Sequence, residues 1–530
     1  MTASEGQQGN VDVPAARVTR RTVVKDAAVA GLTMGLGGWP ATAAAARPRG
    51  PAVEQRWGSF DAAVEKEFRR MGLVGAAVAV VSAERVLYTR TFGVRDLRTR
   101  APVTNSTHFL VASTTKSMSS LLVATFVDAG KLAWDQRVID AWPGFRAPTD
   151  ELTKTLRVRD LLGMASGIGE PPAVSGLHEG DPTAAQLLQS LATLPVINRP
   201  GREYFYNNTV YAVGGYLPAL RQGVDPDKLS AAYAQQMHSR VYGPVGMTGA
   251  RLSDDPRGLV RNYSRGHGFD VFRRQTTLAY GPVGSYAPVG GTLAALDDMA
   301  AYVRLHLRGG VSVSGRRVVS SANLAECWKP HIALPLDPVF DPDAVSAGYG
   351  MGWIRRRYRD GSSLVWHNGG IDGFTTLIGF VPERDIGLVV LNNMNPGPTG
   401  SLFYLYVLNL LLSQRLGLND NVPPKVDRLN EAQIAELLKI GRTSRRVQPR
   451  TVEPFLGYYE RGYQLVLERG ELWILLGPRV MPLRAMADGG YVMSGGLLVE
   501  TRVKLDRDRD GVPRMELVGL ETVRRTVGPN

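Results

Sequence analysis

The alternation of apolar and polar residues changes along the chain, and each change predicts a different element. Two β-rich runs at 72–81 and 85–93, separated by a turn, predict a hairpin. A long apolar run after Ser113 ends at Asp128-Ala129-Gly130, which is typical of a buried helix. Further helices are predicted at 297–308 and 402–412, and strands at 348–358, 364–366, 374–381 and 386–391. Helices and strands are therefore intermixed over most of the chain.

Stretches rich in polar residues, Gly and Pro divide these elements. Residues 143–200 carry many Gly and Pro residues and suit a loop region that faces a substrate. Residues 419–450 turn polar, and we expect them to link two domains. Beyond them, short strands separated by turns predict a small β-barrel or sandwich over residues 451–530. The strands expected there are 457–460, 463–468, 472–476, 491–493 and 497–504.

The first 46 residues are typical of an export leader rather than of a folded segment. Arg20-Arg21 is followed by a weakly apolar run at 27–38 and by small residues at 41–46. This order of charged, apolar and small residues is that of a twin-arginine signal peptide. The alternative is an N-terminal helix that happens to contain Arg-Arg. We expect a secreted or periplasmic protein with no stable membrane anchor once residues 1–46 are removed.

The composition is that of a globular protein with more than one core. The 530 residues exceed the usual size of one core, and 44% are hydrophobic and 21% charged. The net charge is +13, but basic residues alternate with acidic ones, as at 502–510, so we expect no nucleic-acid binding. Cys327 is the only cysteine, which excludes a disulfide within the chain and argues against a cysteine-based metal site. We expect no metal and no cofactor.

Ser113-Thr114-Thr115-Lys116 is the only Ser-x-x-Lys sequence in the chain. A serine hydroxyl attacks a carbonyl only when a nearby base removes its proton. Residues three apart on a helix share one face, so the Lys116 amine lies within reach of Ser113 Oγ. Positive potential at the helix N-terminus favours an alkoxide and disfavours a charged lysine. The motif alone is weak, and an ordinary surface helix start is the alternative.

Two later motifs strengthen this interpretation. Tyr206-Asn207-Asn208 gives Tyr-x-Asn and is followed by an apolar segment. His367-Asn368-Gly369 gives His-x-Gly directly after a predicted strand. Taken singly, Tyr206 is an ordinary core aromatic and His367 an ordinary loop histidine. Their order and spacing relative to Ser113 make the combination specific.

With these motifs the chain resembles the serine β-lactamase-related hydrolases, in the class C-like branch of esterases, D-aminopeptidases and DD-peptidases. The resemblance runs from about residue 55 to residue 415, and we expect the hydrolase domain to occupy residues 55–418. It implies an α+β fold in which an antiparallel sheet is flanked by helices and joined by an all-helical subdomain. The segments that carry it are 109–116, 161–167, 200–208, 288–291, 349–353 and 367–374.

The resemblance also implies roles for individual residues. Ser113 attacks an ester or amide carbonyl, and either Lys116 or Tyr206 takes its proton. Asn208 hydrogen-bonds the substrate and Lys116. The oxyanion lies between the backbone N–H groups of Ser113 and Gly370, and His367 and Gly369 complete the substrate-binding set. Each oxyanion donor in such a site stabilises the transition state by about 2.7–4 kcal/mol.

One departure from the family pattern bears on the substrate. Penicillin-hydrolysing relatives carry Lys-Thr-Gly where this chain has His367-Asn368-Gly369. A lysine offers a permanent cation to a substrate carboxylate, whereas a histidine is mostly neutral at about pH 7. We therefore expect cleavage of a small ester or amide. D-aminopeptidase, DD-peptidase or acyl-transfer activity at the same site is the alternative.

Two further hypotheses concern the whole molecule. The segment 453–460 resembles the entry of lipocalin-like β-domains that follow some of these hydrolases, although a generic β-module that only shapes the cleft is an alternative for residues 451–530.

A secreted binding protein that kept the fold but lost turnover is the rival from another class. Gly-x-Ser-x-Gly and His-Glu-x-x-His do not occur in the sequence, which argues against α/β-hydrolase and zinc-protease chemistry.

Overall fold

A computed structural model describes residues 57–171, 182–394, 398–496 and 498–528. The expected leader, residues 1–46, lies outside the described residues, as does part of the predicted loop region, residues 172–181.

The strands are β1 (Gly75–Val81), β2 (Val86–Gly93), β3 (Phe109–Leu110), β4 (Arg251–Leu252), β5 (His267–Phe269), β6 (Gln275–Thr277), β7 (Thr292–Ala294), β8 (Ile332–Leu334), β9 (Ala344–Tyr349), β10 (Ile354–Tyr358), β11 (Ser363–Ile371), β12 (Phe374–Val381), β13 (Ile386–Asn392), β14 (Gly457–Tyr458), β15 (Tyr463–Glu468), β16 (Glu471–Leu476), β17 (Arg479–Ala485), β18 (Tyr491–Met493), β19 (Arg502–Arg507), β20 (Pro513–Leu517) and β21 (Glu521–Arg524). The helices are α1 (Trp57–Met71), α2 (Thr115–Asp128), α3 (Val138–Ala141), α4 (Asp150–Thr155), α5 (Val158–Leu162), α6 (Ala184–Ser190), α7 (Asn208–Arg221), α8 (Leu229–Gln236), α9 (Gly243–Val245), α10 (Ala287–Gly290), α11 (Leu296–Leu307), α12 (Ser321–Trp328), α13 (Pro398–Leu416), α14 (Val422–Thr443) and α15 (Pro449–Val452).

The larger sheet is antiparallel, in the order β2-β1-β13-β12-β11-β10-β9-β8. The predicted hairpin of β1 and β2 lies at one edge, with Ala77 opposite Thr91. Every residue of β1, β12 and β13 is buried, so both faces of the central strands are covered. Helix α11 packs against β1 and β13, and α13 packs against β12 and α1. The expected α+β fold, an antiparallel sheet flanked by helices, is confirmed.

A helical region lies between β3 and β4 in the chain. Its centre is α2, which is buried almost throughout because its residues are apolar or small on all sides. Helices α7, α10 and α12 pack against α2. Cys327 is buried on α12, which packs against α2, and its thiol donates to the carbonyl of Asn323 one turn earlier on α12. This packing fixes the first turn of α2 relative to three other helices.

Two predicted elements differ from those observed in this domain. The predicted strand at 348–358 is two strands, β9 and β10, because Gly352 adopts φ +77° and the Gly350 N–H donates to the Trp353 carbonyl in a turn. Residues 419–450, expected to link the domains, contain the 22-residue helix α14, which packs against α13. The division of the chain into domains stays a prediction.

Strands β14 to β21 form a second sheet in simple chain order. The sheet curls into a half-barrel. One isolated bridge, between Tyr459 and Arg525, connects the residues that follow its two edge strands, β14 and β21. Alternate side chains such as Leu465, Ile474 and Met515 are fully buried inside it. The predicted C-terminal β-fold is therefore confirmed as a half-barrel.

The strand boundaries in this sheet were predicted less well. Strands β17, β20 and β21 were not expected. The strand expected at 497–504 is β19 at Arg502–Arg507, because residues 498–500 form a turn in which Glu500 has φ +74°. Across the described ranges, no helix is both long and apolar enough to cross a bilayer.

Candidate active site

Ser113 lies in a short turn between β3 and α2. The turn is tight because Ala112, the residue before it, has φ +51°, a conformation that costs a non-glycine residue about 1–3 kcal/mol. Contacts around the turn stabilise this conformation of Ala112. The hydroxyls of Thr114 and Thr376 each donate a 2.8 Å hydrogen bond to the carbonyl of Val111. Ser113 itself is partly exposed between buried neighbours, so its hydroxyl can meet a ligand.

Lys116 occupies the first turn of α2 and is fully buried. Its Nζ donates to Ser113 Oγ at 3.2 Å and to the carbonyl of Val289 at 3.3 Å. Burial lowers the pKa of the Lys116 ammonium well below its usual range, and the charge of Glu170 only partly opposes this. Burial therefore shifts the equilibrium toward the neutral amine, which can accept a proton.

Tyr206 reaches Ser113 from a distant part of the chain. Its hydroxyl donates to Ser113 Oγ at 2.9 Å, and its ring centroid lies 4.6 Å from Lys116 Nζ. Burial raises the pKa of the Tyr206 phenol, and the hydrogen bond to Ser113 opposes this only in part. The phenol is therefore favoured over the phenolate. The Lys116 amine and the Tyr206 phenol thus both hydrogen-bond to Ser113 Oγ.

Helix α7 begins immediately after Tyr206 and fixes its position. The Asn207 side chain caps the helix by accepting from the Val210 N–H at 2.8 Å. The buried Glu170 carboxylate accepts from the backbone N–H groups of Asn208 at 2.9 Å and Thr209 at 2.7 Å. Burial raises the pKa of Glu170, although these hydrogen bonds oppose the rise. Asn208 is the first residue of α7 and is buried.

Glu170 was not among the residues predicted from the sequence. A signal for it was present, since it lies directly after the segment 161–167 that carries the family resemblance. Its role depends on a contact with residues 38 and 39 positions later, and sequence spacing alone does not reveal that contact.

His367 lies on β11 and is buried near Lys116. Its Nδ1 lies 2.6 Å from the carbonyl oxygen of Asn368, so Nδ1 carries the proton and donates. Its Nε2 therefore accepts from the Tyr349 hydroxyl at 3.2 Å. Burial, with a smaller contribution from the charge that Lys116 carries when protonated, lowers the pKa of His367 to about 3. The histidine is neutral and both ring nitrogens have protein partners.

Gly369 lies against the backbone of Ser113. A Cβ at Gly369 would lie 2.3 Å from the Val111 carbonyl oxygen and 3.0 Å from the Ser113 nitrogen, so only glycine fits. Gly370 follows opposite Thr375 and is exposed, whereas Gly369 and Ile371 are buried. An exposed backbone next to the amide of the nucleophile is a suitable place for a substrate carbonyl.

Strand β10 covers only part of the outer edge of β11. Strand β10 pairs with β11 only as far as Trp366, so that pairing does not extend to residues 367–371. An extended substrate backbone can pair with such an edge. Across the described ranges, no group of three or more His, Cys, Asp or Glu side chains is arranged to hold a metal ion.

Comparisons with known proteins show the family of this chain. The family model described as Beta-lactamase matches residues 60–410. The penicillin-binding protein 4 of Amycolatopsis lactamdurans is 27% identical over 349 residues, which cover 65% of this chain and 86% of that protein. The unguisins hydrolase ungD of Aspergillus violaceofuscus is 26% identical over 363 residues, which cover 63% of this chain and 61% of that protein.

Solved structures extend the likeness of the fold toward the C-terminal sheet. The octameric penicillin-binding protein homologue from Pyrococcus abyssi superposes with a TM-score of 0.55 over 88% of this chain and all of that chain, at 20% identity. A crystal structure of SurE gives a TM-score of 0.53 over 90% of this chain and all of that chain, also at 20% identity. The lipocalin-like character of the C-terminal sheet stays a prediction.

Proposed function

The chain belongs to the Beta-lactamase family of serine hydrolases, and on this basis we propose that it is an exported enzyme that forms an acyl-enzyme on Ser113. The observation that carries the proposal is the convergence of Lys116 Nζ at 3.2 Å and the Tyr206 hydroxyl at 2.9 Å on Ser113 Oγ. These distances are within the hydrogen-bond reach that proton transfer requires.

In the proposed reaction, neutral Lys116 takes the proton of Ser113 as Oγ attacks the substrate carbonyl carbon. The opposite pKa shifts of Lys116 and Tyr206 support the lysine as the base, because burial favours the uncharged form of both groups. Backbone N–H groups of Ser113 and Gly370 stabilise the negative oxygen of the tetrahedral intermediate.

The leaving group then departs with a proton delivered through Tyr206 and resupplied by Lys116. Water attacks the acyl-enzyme with the same groups acting in reverse, which releases the acid and restores Ser113. An amine or alcohol in place of water gives acyl transfer.

The proposed substrate is a small ester or amide. A neutral, buried His367 with both ring nitrogens engaged supports this, because it offers no cation to a substrate carboxylate. Peptide substrates are the second candidate. The end of the β10–β11 pairing at Trp366 favours them, since an extended peptide can add as a strand to a sheet edge.

Export through the Arg20-Arg21 leader is part of the proposal. The sequence of charged, apolar and small residues within positions 1–46 supports it. The test is cell fractionation of the full chain and of an Arg20→Lys/Arg21→Lys variant. We expect the wild type outside the cytoplasm and the variant retained. Equal distributions of the two would overturn twin-arginine export.

A fluorescent fluorophosphonate probe tests the acyl-enzyme proposal. We expect labelling of the wild type and of Ser106→Ala, which alters an exposed serine seven positions earlier. We expect no labelling of Ser113→Ala. An unlabelled but folded wild type would instead support the rival hypothesis of a binding protein without turnover.

A panel of substrates ranks the candidate activities by their rates. p-Nitrophenyl acetate, D-Ala-p-nitroanilide and nitrocefin are assayed side by side, and intact mass measurement detects the acyl adduct. We expect the ester to be cleaved fastest. Dominant turnover of D-Ala-p-nitroanilide would favour the peptidase alternative, and dominant turnover of nitrocefin would contradict the inference from His367.

A further inference from the structure

The turn between β11 and β12 lies two residues beyond Gly370. Asp372 and Gly373 form it, and Gly373 has φ +82°. Because β11 is continuously paired with β12 from Val365 to Ile371, a shift of this turn shifts Gly369 and Gly370 with it. The position of the turn therefore affects the distance between the backbone of β11 and Ser113.

Asp372 is held by a residue of the C-terminal half-barrel. Arg479, the first residue of β17, donates from Nη2 to Asp372 Oδ2 at 2.9 Å and from Nε to both carboxylate oxygens at 3.2 Å. The side chains are only 3% and 6% exposed, for Asp372 and Arg479 respectively. A planar guanidinium that contacts a carboxylate through two nitrogens fixes its orientation as well as its distance.

The surroundings leave the pair no room to move. A Cβ on Gly281 would lie 1.6 Å from Asp372 Oδ2 and 2.3 Å from Arg479 Nη2. On the backbone side, a Cβ on Gly266 would lie 2.3 Å from the Asp372 carbonyl oxygen. The His267 N–H donates to the Gly373 carbonyl at 3.3 Å. The turn is thus enclosed by the loop that contains β5 and β6 on one side and by Arg479 on the other.

We propose that Arg479 is a positioning residue for the hydrolase: by binding Asp372 it holds β11, and with it Gly370, in register with Ser113. The half-barrel then contributes to catalysis through this one contact, without touching the substrate. The proposal rests on the function proposed above. Separating two charges that are buried together leaves both without their partner, so the contact resists displacement of the turn.

The test compares acylation rates of full-length variants. Arg479→Ala and Asp372→Asn each remove one partner, and Gly281→Ala forces the pair apart while both partners remain. The matched control is Arg514→Ala, which breaks the Arg514–Asp506 pair of the same half-barrel, where both side chains are 42% exposed. Rates of fluorophosphonate labelling and ester hydrolysis are measured on folded protein, well below the melting temperature of each variant.

We expect the three variants at the turn to lose roughly ten- to a hundredfold in acylation rate, because small displacements of catalytic groups have effects of this size. The loss falls on kcat, with KM nearly unchanged, and the control keeps the wild-type rate. Millimolar guanidinium restores part of the rate of Arg479→Ala, whereas sodium at equal ionic strength does not. A purely structural role would not give this rescue.

Two results separate this proposal from the one on which it rests. Wild-type rates in folded Arg479→Ala and Gly281→Ala, beside a wild type that is labelled, would overturn the positioning role and leave the acyl-enzyme intact. A wild type that is not labelled would overturn both. If Arg479→Ala does not fold, Gly281→Ala and Asp372→Asn decide the outcome by the same rates.

Discussion

The Tyr206 hydroxyl donates its hydrogen bond to Ser113 Oγ across 93 positions of the chain. The two residues belong to separate elements, since Ser113 precedes α2 and Tyr206 precedes α7. Those helices pack against each other, so docking of α7 on α2 brings the phenol to the serine. The nucleophile is therefore assembled only when the helical region is folded.

Removing this hydroxyl tests its part in proton transfer. Tyr206→Phe is expected to lower kcat at least roughly tenfold, at the low end of what general acid–base groups contribute. The control is Tyr88→Phe, which removes a hydroxyl that donates to Asp61 away from the site. Steady-state ester hydrolysis measures both. A near-wild-type kcat for Tyr206→Phe would remove Tyr206 from the mechanism.

The acylation rate is expected to rise with pH. Burial lowers the pKa of Lys116 below its ordinary value of 10.5, and only the neutral amine above that lowered pKa accepts the serine proton. The rate therefore falls as pH decreases through the folded pKa of Lys116. His367, with a pKa of about 3, does not contribute to this limb. Labelling rates across pH measure it, and a rate that does not fall as the pH is lowered from 10.5 would contradict the assignment.

Lys116 is also expected to reduce stability. Between its lowered pKa in the folded chain and 10.5 in the unfolded chain, the unfolded state binds a proton that the folded state lacks. The free energy of unfolding of the wild type therefore rises with pH in this interval. Lys116→Met lacks this slope and is expected to be more stable than the wild type near neutral pH, because folding no longer opposes protonation of a buried amine.

Denaturant unfolding at neutral and alkaline pH measures this difference. Lys66→Met, at an exposed position of α1, serves as the control and is expected to match the wild type at both pH values. A Lys116→Met protein less stable than the wild type near neutral pH would show that the lysine contacts stabilise the fold more than its burial costs.

Gly369→Ala tests the close approach of β11 to Ser113. The added methyl would lie 2.3 Å from the Val111 carbonyl oxygen, so β11 must move away from the nucleophile. We expect a loss of roughly a hundredfold in acylation rate, the size of effect that removal of one oxyanion donor produces. Gly290→Ala is the control, because its nearest contacts would be at an ordinary 3.9 Å. Equal rates for both variants would contradict the proposed oxyanion site.

Glu170→Gln tests the anchoring of α7. The Asn208 and Thr209 N–H groups donate to different oxygens of Glu170, so glutamine keeps one acceptor and places an NH2 group, which cannot accept, at the other. We expect the free energy of unfolding to fall by about 1.5–3 kcal/mol, the usual contribution of hydrogen bonds to charged groups. Thermal unfolding measures it, with the exposed Glu84→Gln as control. An unchanged melting temperature would exclude a structural role for the carboxylate.

Local chemistry in the sequence predicted the centre of the site. Ser113 and Lys116 are three residues apart on one helix, so their contact follows from helical geometry alone. Tyr206 was predicted through a family motif, and its hydrogen bond to Ser113 has the expected partner. The main helices and central strands followed from apolar runs, because burial on both faces leaves a clear signal in composition.

The contacts that were missed depend on tertiary structure. Glu170 and Asp372 act through partners 38 and 107 positions away, which no local pattern specifies. Strand β17, which supplies the second of these partners, was itself missed. It contains Pro482, and proline within an apolar run argues against a strand when only sequence is known.

The thiol of Cys327 gives this protein a built-in reporter of unfolding. It is 1% exposed, and burial raises its pKa, so a thiol-directed reagent cannot reach a reactive thiolate in the native state. As the chain has no other cysteine, each alkylation event counts one opening of the packing between α12 and α2. The kinetics of that modification report the opening of this packing without any engineered probe.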